Sequence, residues 1–128
     1  MKKFFFLNLV LVLLLVFASC NENECHNTLR GVVTSVDGPT SGGVGENLVY
    51  TISFYASNGC GSFHSISSNR VGSTVFIEAK VRYKGCICPD VLVEFQKDYV
   101  FRPTEQGVYT LVFQNNVQEH ITLTITIN

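Results

Sequence analysis

The chain has 128 residues, a formal net charge of −1 and five cysteines, which is enough for a single domain with a modest core. Two of the nine basic residues, Lys2 and Lys3, stand at the extreme N-terminus, so residues 20–128 keep seven Lys and Arg against ten Asp and Glu, a net charge near −3. That balance, without any run of like charges, gives no electrostatic reason to bind nucleic acid.

The N-terminal segment is predicted to be a secretory signal. Lys2 and Lys3 precede an apolar run over residues 4–18 that is interrupted only by Asn8. The run is shorter than the roughly 20 apolar residues that span a bilayer, and it is typical of the apolar region of a signal peptide. We therefore predict that residues 1–19 are removed as a lipoprotein signal peptide.

A cysteine follows this segment directly. Residues 16–20 (VFASC) resemble a bacterial lipobox, although Phe17 stands where leucine is usual. The resemblance implies cleavage before Cys20, lipidation of its thiol and anchoring in a lipid bilayer through acylated Cys20. The alternative is ordinary secretion with a free Cys20.

The residues after Cys20 are polar and acidic. Residues 21–24 (NENE) resemble the acidic stretch that follows the lipidated cysteine of surface-exported lipoproteins in Bacteroidota; the alternative is a plain solvated tether. We expect residues 20–28 to form the lipidated N-terminus and tether. The expected location is the cell envelope, at the outer membrane or cell surface of a Gram-negative bacterium.

The rest of the chain, residues 29–128, shows apolar and polar residues alternating with a period of two, and turn residues between the runs. No stretch has helical periodicity. The expected fold is all-β, a seven-stranded antiparallel Greek-key sandwich of immunoglobulin-like type. In chain order, the predicted strands cover residues 29–36, 48–54, 63–67, 75–83, 91–101, 109–113 and 121–127.

One local motif favours the immunoglobulin-like arrangement. Residues 105–111 (EQGVYTL) resemble the start of the sixth strand in that fold, which implies that the Tyr109 hydroxyl bonds back across the corner. The alternative is ordinary core packing of Tyr109. Leu111 stands where antibody domains carry a cysteine, and the chain has no tryptophan, so we expect the disulfides to lie elsewhere.

Three further segments, residues 57–61 (SNGCG), 85–88 (GCIC) and 101–104 (FRPT), are similar to segments of small lipoproteins of Bacteroidota with an immunoglobulin-like domain. That resemblance implies a location and a fold but no activity.

The remaining four cysteines predict two disulfides, because an even number of cysteines in an exported domain is typical of a disulfide framework. A bond between Cys86 and Cys88 would close a small strained ring. We therefore expect each of these two to pair with either Cys25 or Cys60, and the sequence leaves the choice open.

A metal site is the alternative use of these cysteines. In an immunoglobulin-type sandwich the second, fourth and sixth loops share one end, which would gather the cysteines with His26, His64 and His120. The set for zinc or copper would be Cys60, His64, Cys86 and Cys88. It needs reduced thiols, which an oxidising envelope does not preserve, so disulfides are favoured.

The sequence gives no reason to expect an enzyme. It lacks a Gly-x-Ser-x-Gly elbow and a phosphate-binding glycine loop, and we expect no catalytic residue and no cofactor. The predicted function is a membrane-anchored envelope lipoprotein with a non-catalytic binding or structural domain, and the alternative is a metal-handling lipoprotein. A partner would be an envelope or host protein or glycan, contacting a sandwich face or the end that carries loop 38–45, which is glycine-rich and expected to be mobile.

Two contacts are also predicted. The turn at residues 85–90 makes a hairpin of the fourth and fifth strands, which places Arg82 opposite Glu94 on its outer face. In the same hairpin Lys97 would lie near Ala79, with its stem on the rim of the core.

Overall fold

The computed structural model describes residues 25–116 and 119–128, and the regular structure of those residues is entirely β-strand. The nine strands are β1 (His26–Arg30), β2 (Val32–Asp37), β3 (Ser41–Gly42), β4 (Leu48–Ala56), β5 (Gly61–Val71), β6 (Thr74–Lys84), β7 (Val93–Phe101), β8 (Gly107–Phe113) and β9 (Ile121–Ile127).

These strands form two sheets that pack face to face as a sandwich. One sheet has the order β2-β4-β7; the other has the order β1-β6-β8-β9-β3, with β5 also paired to β6. Two pairs, β6 with β8 and β3 with β9, are parallel. The all-β sandwich is confirmed, whereas the prediction of seven strands, all antiparallel, is wrong: the described residues contain nine strands and two parallel pairs.

The core lies between the sheets, and β4 and β6 supply most of it. Both strands alternate buried residues with half-buried or exposed ones along their length, as a period-two strand does when one face is covered. The predicted second and fourth strands are thereby confirmed. The buried faces consist of Leu48, Tyr50, Ile52, Phe54 and Ala56 on β4, and Val75, Ile77, Ala79, Val81 and Tyr83 on β6.

The first predicted strand is in fact two strands in different sheets. β1 begins at His26, three residues before the predicted start, and pairs with β6, whereas β2 pairs with β4. Gly31 is the residue at which the chain crosses from one sheet to the other. Its N–H donates to the Ala79 carbonyl at 2.8 Å, and a Cβ on this residue would lie 2.6 Å from Cδ2 of Phe54. Residues 26–28, expected in the tether, therefore belong to the six-stranded sheet.

The predicted hairpin of the fourth and fifth strands is wrong, because β6 and β7 lie in different sheets. Arg82 pairs with Thr28 on β1 and Ser62 on β5. Glu94 pairs with Tyr55 on β4. The connection between the two strands crosses from one sheet to the other instead of turning back within one.

Lys97 is likewise not beside Ala79. Its partner across the ladder is Ile52, and its Nζ lies 4.9 Å from the centroid of the Phe63 ring on β5. The ammonium thus sits over an aromatic face where the edges of the two sheets approach each other.

The loop after β2, which we expected to be mobile, is hydrogen-bonded to neighbouring elements. Within it, Ser41–Gly42 forms β3 and pairs with β9. The Thr126 N–H donates to the Thr40 carbonyl at 2.9 Å, and the Gly45 N–H donates to the Pro103 carbonyl at 2.8 Å. These bonds fasten the loop to the end of β9 and to the loop before β8.

The corner before β8 has the predicted hydrogen bond. The Tyr109 hydroxyl donates to the Glu105 carbonyl at 2.9 Å, and Tyr109 itself is buried. The ring of Tyr109 therefore packs in the core while its hydroxyl has a hydrogen-bond partner.

Candidate functional site

Two disulfides hold one end of the sandwich. One joins Cys25 to Cys86 and the other joins Cys60 to Cys88, with Cα atoms 5.0 Å and 5.3 Å apart. This confirms the prediction of two disulfides without a bond between Cys86 and Cys88. The connectivity, left open by the sequence, ties the start of β1 and the turn before β5 to the same loop.

Hydrogen bonds accompany the disulfide between Cys60 and Cys88. The Asn58 side-chain oxygen accepts the Cys60 N–H at 2.9 Å, which shapes the turn between β4 and β5 in the way Asx turns do. The Gly59 N–H donates to the Pro89 carbonyl at 2.8 Å. The turn and the loop that carries Cys88 are thus joined by a hydrogen bond as well as by the disulfide.

The loop at residues 85–92, here called the disulfide-held loop, presents apolar side chains to solvent. Gly85 opens it with φ at 122°, a value that favours glycine, and donates its N–H to the Cys25 carbonyl at 2.9 Å. Ile87 is 95% exposed, Val91 54% and Leu92 61%. We expected residues 91 and 92 to begin the fifth strand with residue 91 on its apolar face; both instead belong to this loop.

The alternative metal set is not assembled. Cys60, Cys86 and Cys88 are all bonded in disulfides, and Nε2 of His64 lies 3.5 Å from the Arg82 guanidinium. Across residues 25–116 and 119–128, no group of three or more His, Cys, Asp or Glu side chains is placed to hold a metal ion. The disulfides have consumed the thiolates that such a site would need.

The three histidines do not gather as expected. His26 lies beside the last residue of β6, whereas Phe113, at the end of β8, lies beside Ile77. Ile77 and Lys84 are seven residue steps apart along β6, about 23 Å at 3.3 Å per step. The loop after β8, which carries His120, is therefore level with the middle of β6 and not with the disulfides.

The predicted signal peptide and the lipidation site Cys20 lie outside the described residues. Within the part that is described, no helix is long and apolar enough to cross a bilayer.

A second feature, missed by sequence analysis, is a groove on the outer face of the six-stranded sheet. Its volume is about 420 Å³. Strands β1, β5 and β6 and the residue after β8 contribute to its walls. The lining residues are Arg30, Ser67, Ser68, Asn69, Val71, Phe76, Glu78 and Gln114.

An ion pair forms the charged part of this groove. Nε of Arg30 donates to Oε1 of Glu78 at 3.0 Å, and Nζ of Lys80 lies 3.4 Å from Oε2 of the same carboxylate. The hydrogen bond from Arg30 is the main cause that lowers the pKa of Glu78 below its usual 4.5. Glu78 therefore stays ionised at neutral pH, and the groove offers both signs of charge beside the half-buried Phe76 ring.

The sequence contains only one feature that could have indicated this groove. Phe76 precedes a run of charged residues on the polar face of the fourth predicted strand. The other lining residues come together through pairings that the sequence does not specify. The groove offers hydrogen bonds, charge and an aromatic ring, which suit binding.

Comparison with known proteins gives one finding. The model of a family described as the ORF11 beta-sandwich domain matches residues 50–127, more than half of the 128 residues, from within β4 to the end of β9. No curated protein and no solved structure matches the chain.

Proposed function

We propose that this chain, which belongs to the ORF11 beta-sandwich domain family, is a lipid-anchored lipoprotein of the cell envelope whose domain binds a partner without catalysis. The two disulfides carry the proposal. Disulfides persist in oxidising compartments and are rare in the cytosol, so a cross-linked domain fits the export that residues 1–20 predict. The resemblance to Bacteroidota lipoproteins favours the outer membrane or cell surface.

The same proposal treats the sandwich as a Greek-key, immunoglobulin-like variant. The hydroxyl bond from Tyr109 to the Glu105 carbonyl supports it. The parallel pairing of β6 with β8 is the feature that departs from that fold.

The anchor orients the domain. Five peptide units join Cys20 to Cys25, and at up to about 3.5 Å per unit the tether reaches roughly 17 Å. The disulfide between Cys25 and Cys86 then keeps that end of the sandwich near the bilayer. The groove lies toward the opposite end, since Val71 and Phe76 belong to the β5–β6 hairpin whose tip is remote from the disulfides.

A glycan suits the groove better than a protein does. The groove is open and lined by hydroxyl, amide and charged side chains around one aromatic ring, and its volume falls in the range of sites for small ligands, about 300–1,000 Å³. A protein partner would need a broader contact, with about 800 Å² buried per partner. The metal-handling alternative finds no support in a domain whose four cysteines are paired.

Anchoring is tested by growing the producing cells with labelled palmitate. We expect label in the wild-type protein and none in Cys20→Ser, which should leave the membrane fraction. Label-free wild-type protein in the soluble fraction would contradict the proposal.

Binding is tested with the purified lipoprotein and immobilised envelope polysaccharides. We expect Phe76→Ser to weaken binding at least tenfold, because it removes the aromatic ring of the groove. The control is Val100→Ser, which changes a residue 51% exposed on the other sheet. Binding that Val100→Ser alone abolishes would place the ligand elsewhere, and no binding at all would favour a purely structural role.

A further inference from the structure

We infer that the disulfide-held loop, residues 85–92, is a second membrane contact, with Ile87, Val91 and Leu92 in the interfacial layer of the bilayer beside the lipid anchor. The inference rests on the proposed lipid anchor and goes beyond it, because an anchor alone would leave the domain free to tumble at the end of its tether.

The first observation is the exposure of the three side chains. Ile87 is 95% exposed, Val91 54% and Leu92 61%, so none of them is held mainly by the core. A concentration of apolar side chains on one short exposed loop is characteristic of an interaction surface.

The second observation is that cross-links fix the part of the loop that presents Ile87. Cys86 and Cys88 flank Ile87 and are bonded to Cys25 and Cys60. The Gly59 N–H also bonds the Pro89 carbonyl. An apolar side chain on a loop that is fixed in this way loses little conformational entropy when it binds.

The position of the loop identifies a lipid surface as its occupant. The described structure begins at Cys25, and the sulfur of Cys25 is bonded to that of Cys86, the neighbour of Ile87. A tether reaching roughly 17 Å from Cys20 therefore keeps Ile87 close to the headgroups. Apolar side chains at that depth add to the membrane affinity of the acyl chains.

The charges at this end are compatible with a membrane surface. Asp90 is the one charged residue of the loop, and the exposed Lys84 stands directly before the first residue of the loop. His26 lies beside Lys84. Charged side chains at the rim remain in water while the apolar side chains enter the interface.

Tryptophan fluorescence tests the inference, since the chain contains no tryptophan. Ile87→Trp places a single fluorophore at the loop. The matched control is Val108→Trp, at a residue 58% exposed near the start of β8 and remote from the disulfides. Both lipidated proteins are reconstituted in phosphatidylcholine vesicles with and without brominated acyl chains. We expect Ile87→Trp to shift to shorter wavelength and to be quenched at least twofold more than Val108→Trp.

Equal, weak quenching of the two fluorophores in protein that mass spectrometry shows to be acylated at Cys20 would overturn the membrane contact and leave the anchor standing. An N-terminal peptide without acyl chains would instead overturn the proposed anchor, and the loop contact with it.

Discussion

Replacing Gly31 with alanine tests how the chain passes from one sheet to the other. The added Cβ would lie 2.6 Å from Cδ2 of Phe54 and 3.3 Å from Cγ2 of Val81, whereas carbon atoms in good contact are about 3.5–4.0 Å apart. Phe54 is 1% exposed and Val81 is fully buried, so neither side chain can turn outward. We expect Gly31→Ala to lower the free energy of unfolding by about 1–3 kcal/mol, the usual cost of overpacking a core.

The assay is urea unfolding of the disulfide-bonded protein, with Gly43→Ala as the control. A Cβ on Gly43 would meet only the Glu46 carboxylate, at 3.6 Å, and Gly43 does not have a positive φ. The control should therefore be neutral or stabilising by up to about 1 kcal/mol, because alanine restricts the unfolded chain. The same midpoint and slope for Gly31→Ala and wild type would refute the close packing at this crossing.

Three further substitutions test single interactions. Glu78→Gln should lower the free energy of unfolding by up to about 1 kcal/mol at neutral pH. The difference from wild type should vanish as the pH falls through the lowered pKa of Glu78, because protonation removes the charge that Arg30 binds. Unfolding curves in a pH series would show a constant difference if the ion pair were irrelevant. Tyr109→Phe removes the hydroxyl bond to Glu105 and should cost about 0.5–1.5 kcal/mol, read as a lower midpoint in urea; an unchanged midpoint would count against the corner. Asn115→Ala removes a buried side chain whose Nδ2 bonds a carbonyl of β2 at 2.9 Å; we expect a loss of about 1–3 kcal/mol, and thermal melting within error of wild type would contradict a role in joining the sheets.

Strand positions could be predicted from the sequence because alternation is a local property. The period of two placed β4, β6 and β9 within a few residues of their observed bounds. Pairing is not local: the alternating face of β6 is buried equally well whichever neighbours it has. For that reason the sequence could not exclude Arg82 opposite Glu94, and only the crossing of the chain between sheets does so.

The candidate sites divide in the same way. The count of cysteines was sufficient to predict disulfides, whereas the partner of Cys86 depends on which turns meet at that end of the sandwich. The groove was beyond prediction, because Arg30, Asn69 and Gln114 lie far apart in the chain and meet only through the pairing of β1, β5 and β8 with β6. The exposure of Ile87 was not predicted either, because the sequence does not show which side chains of a turn face solvent.

The most direct measurement is peptide mapping by mass spectrometry of the mature protein, isolated from membranes and alkylated without reductant. We predict that the first residue is an acylated Cys20 and that its peptide, or the adjoining one with Cys25, is joined to the peptide that contains Cys86. We also predict no alkylated cysteine. An unacylated N-terminus, or alkylation of Cys25 and Cys86, would contradict a domain held against the membrane by its cross-linked end.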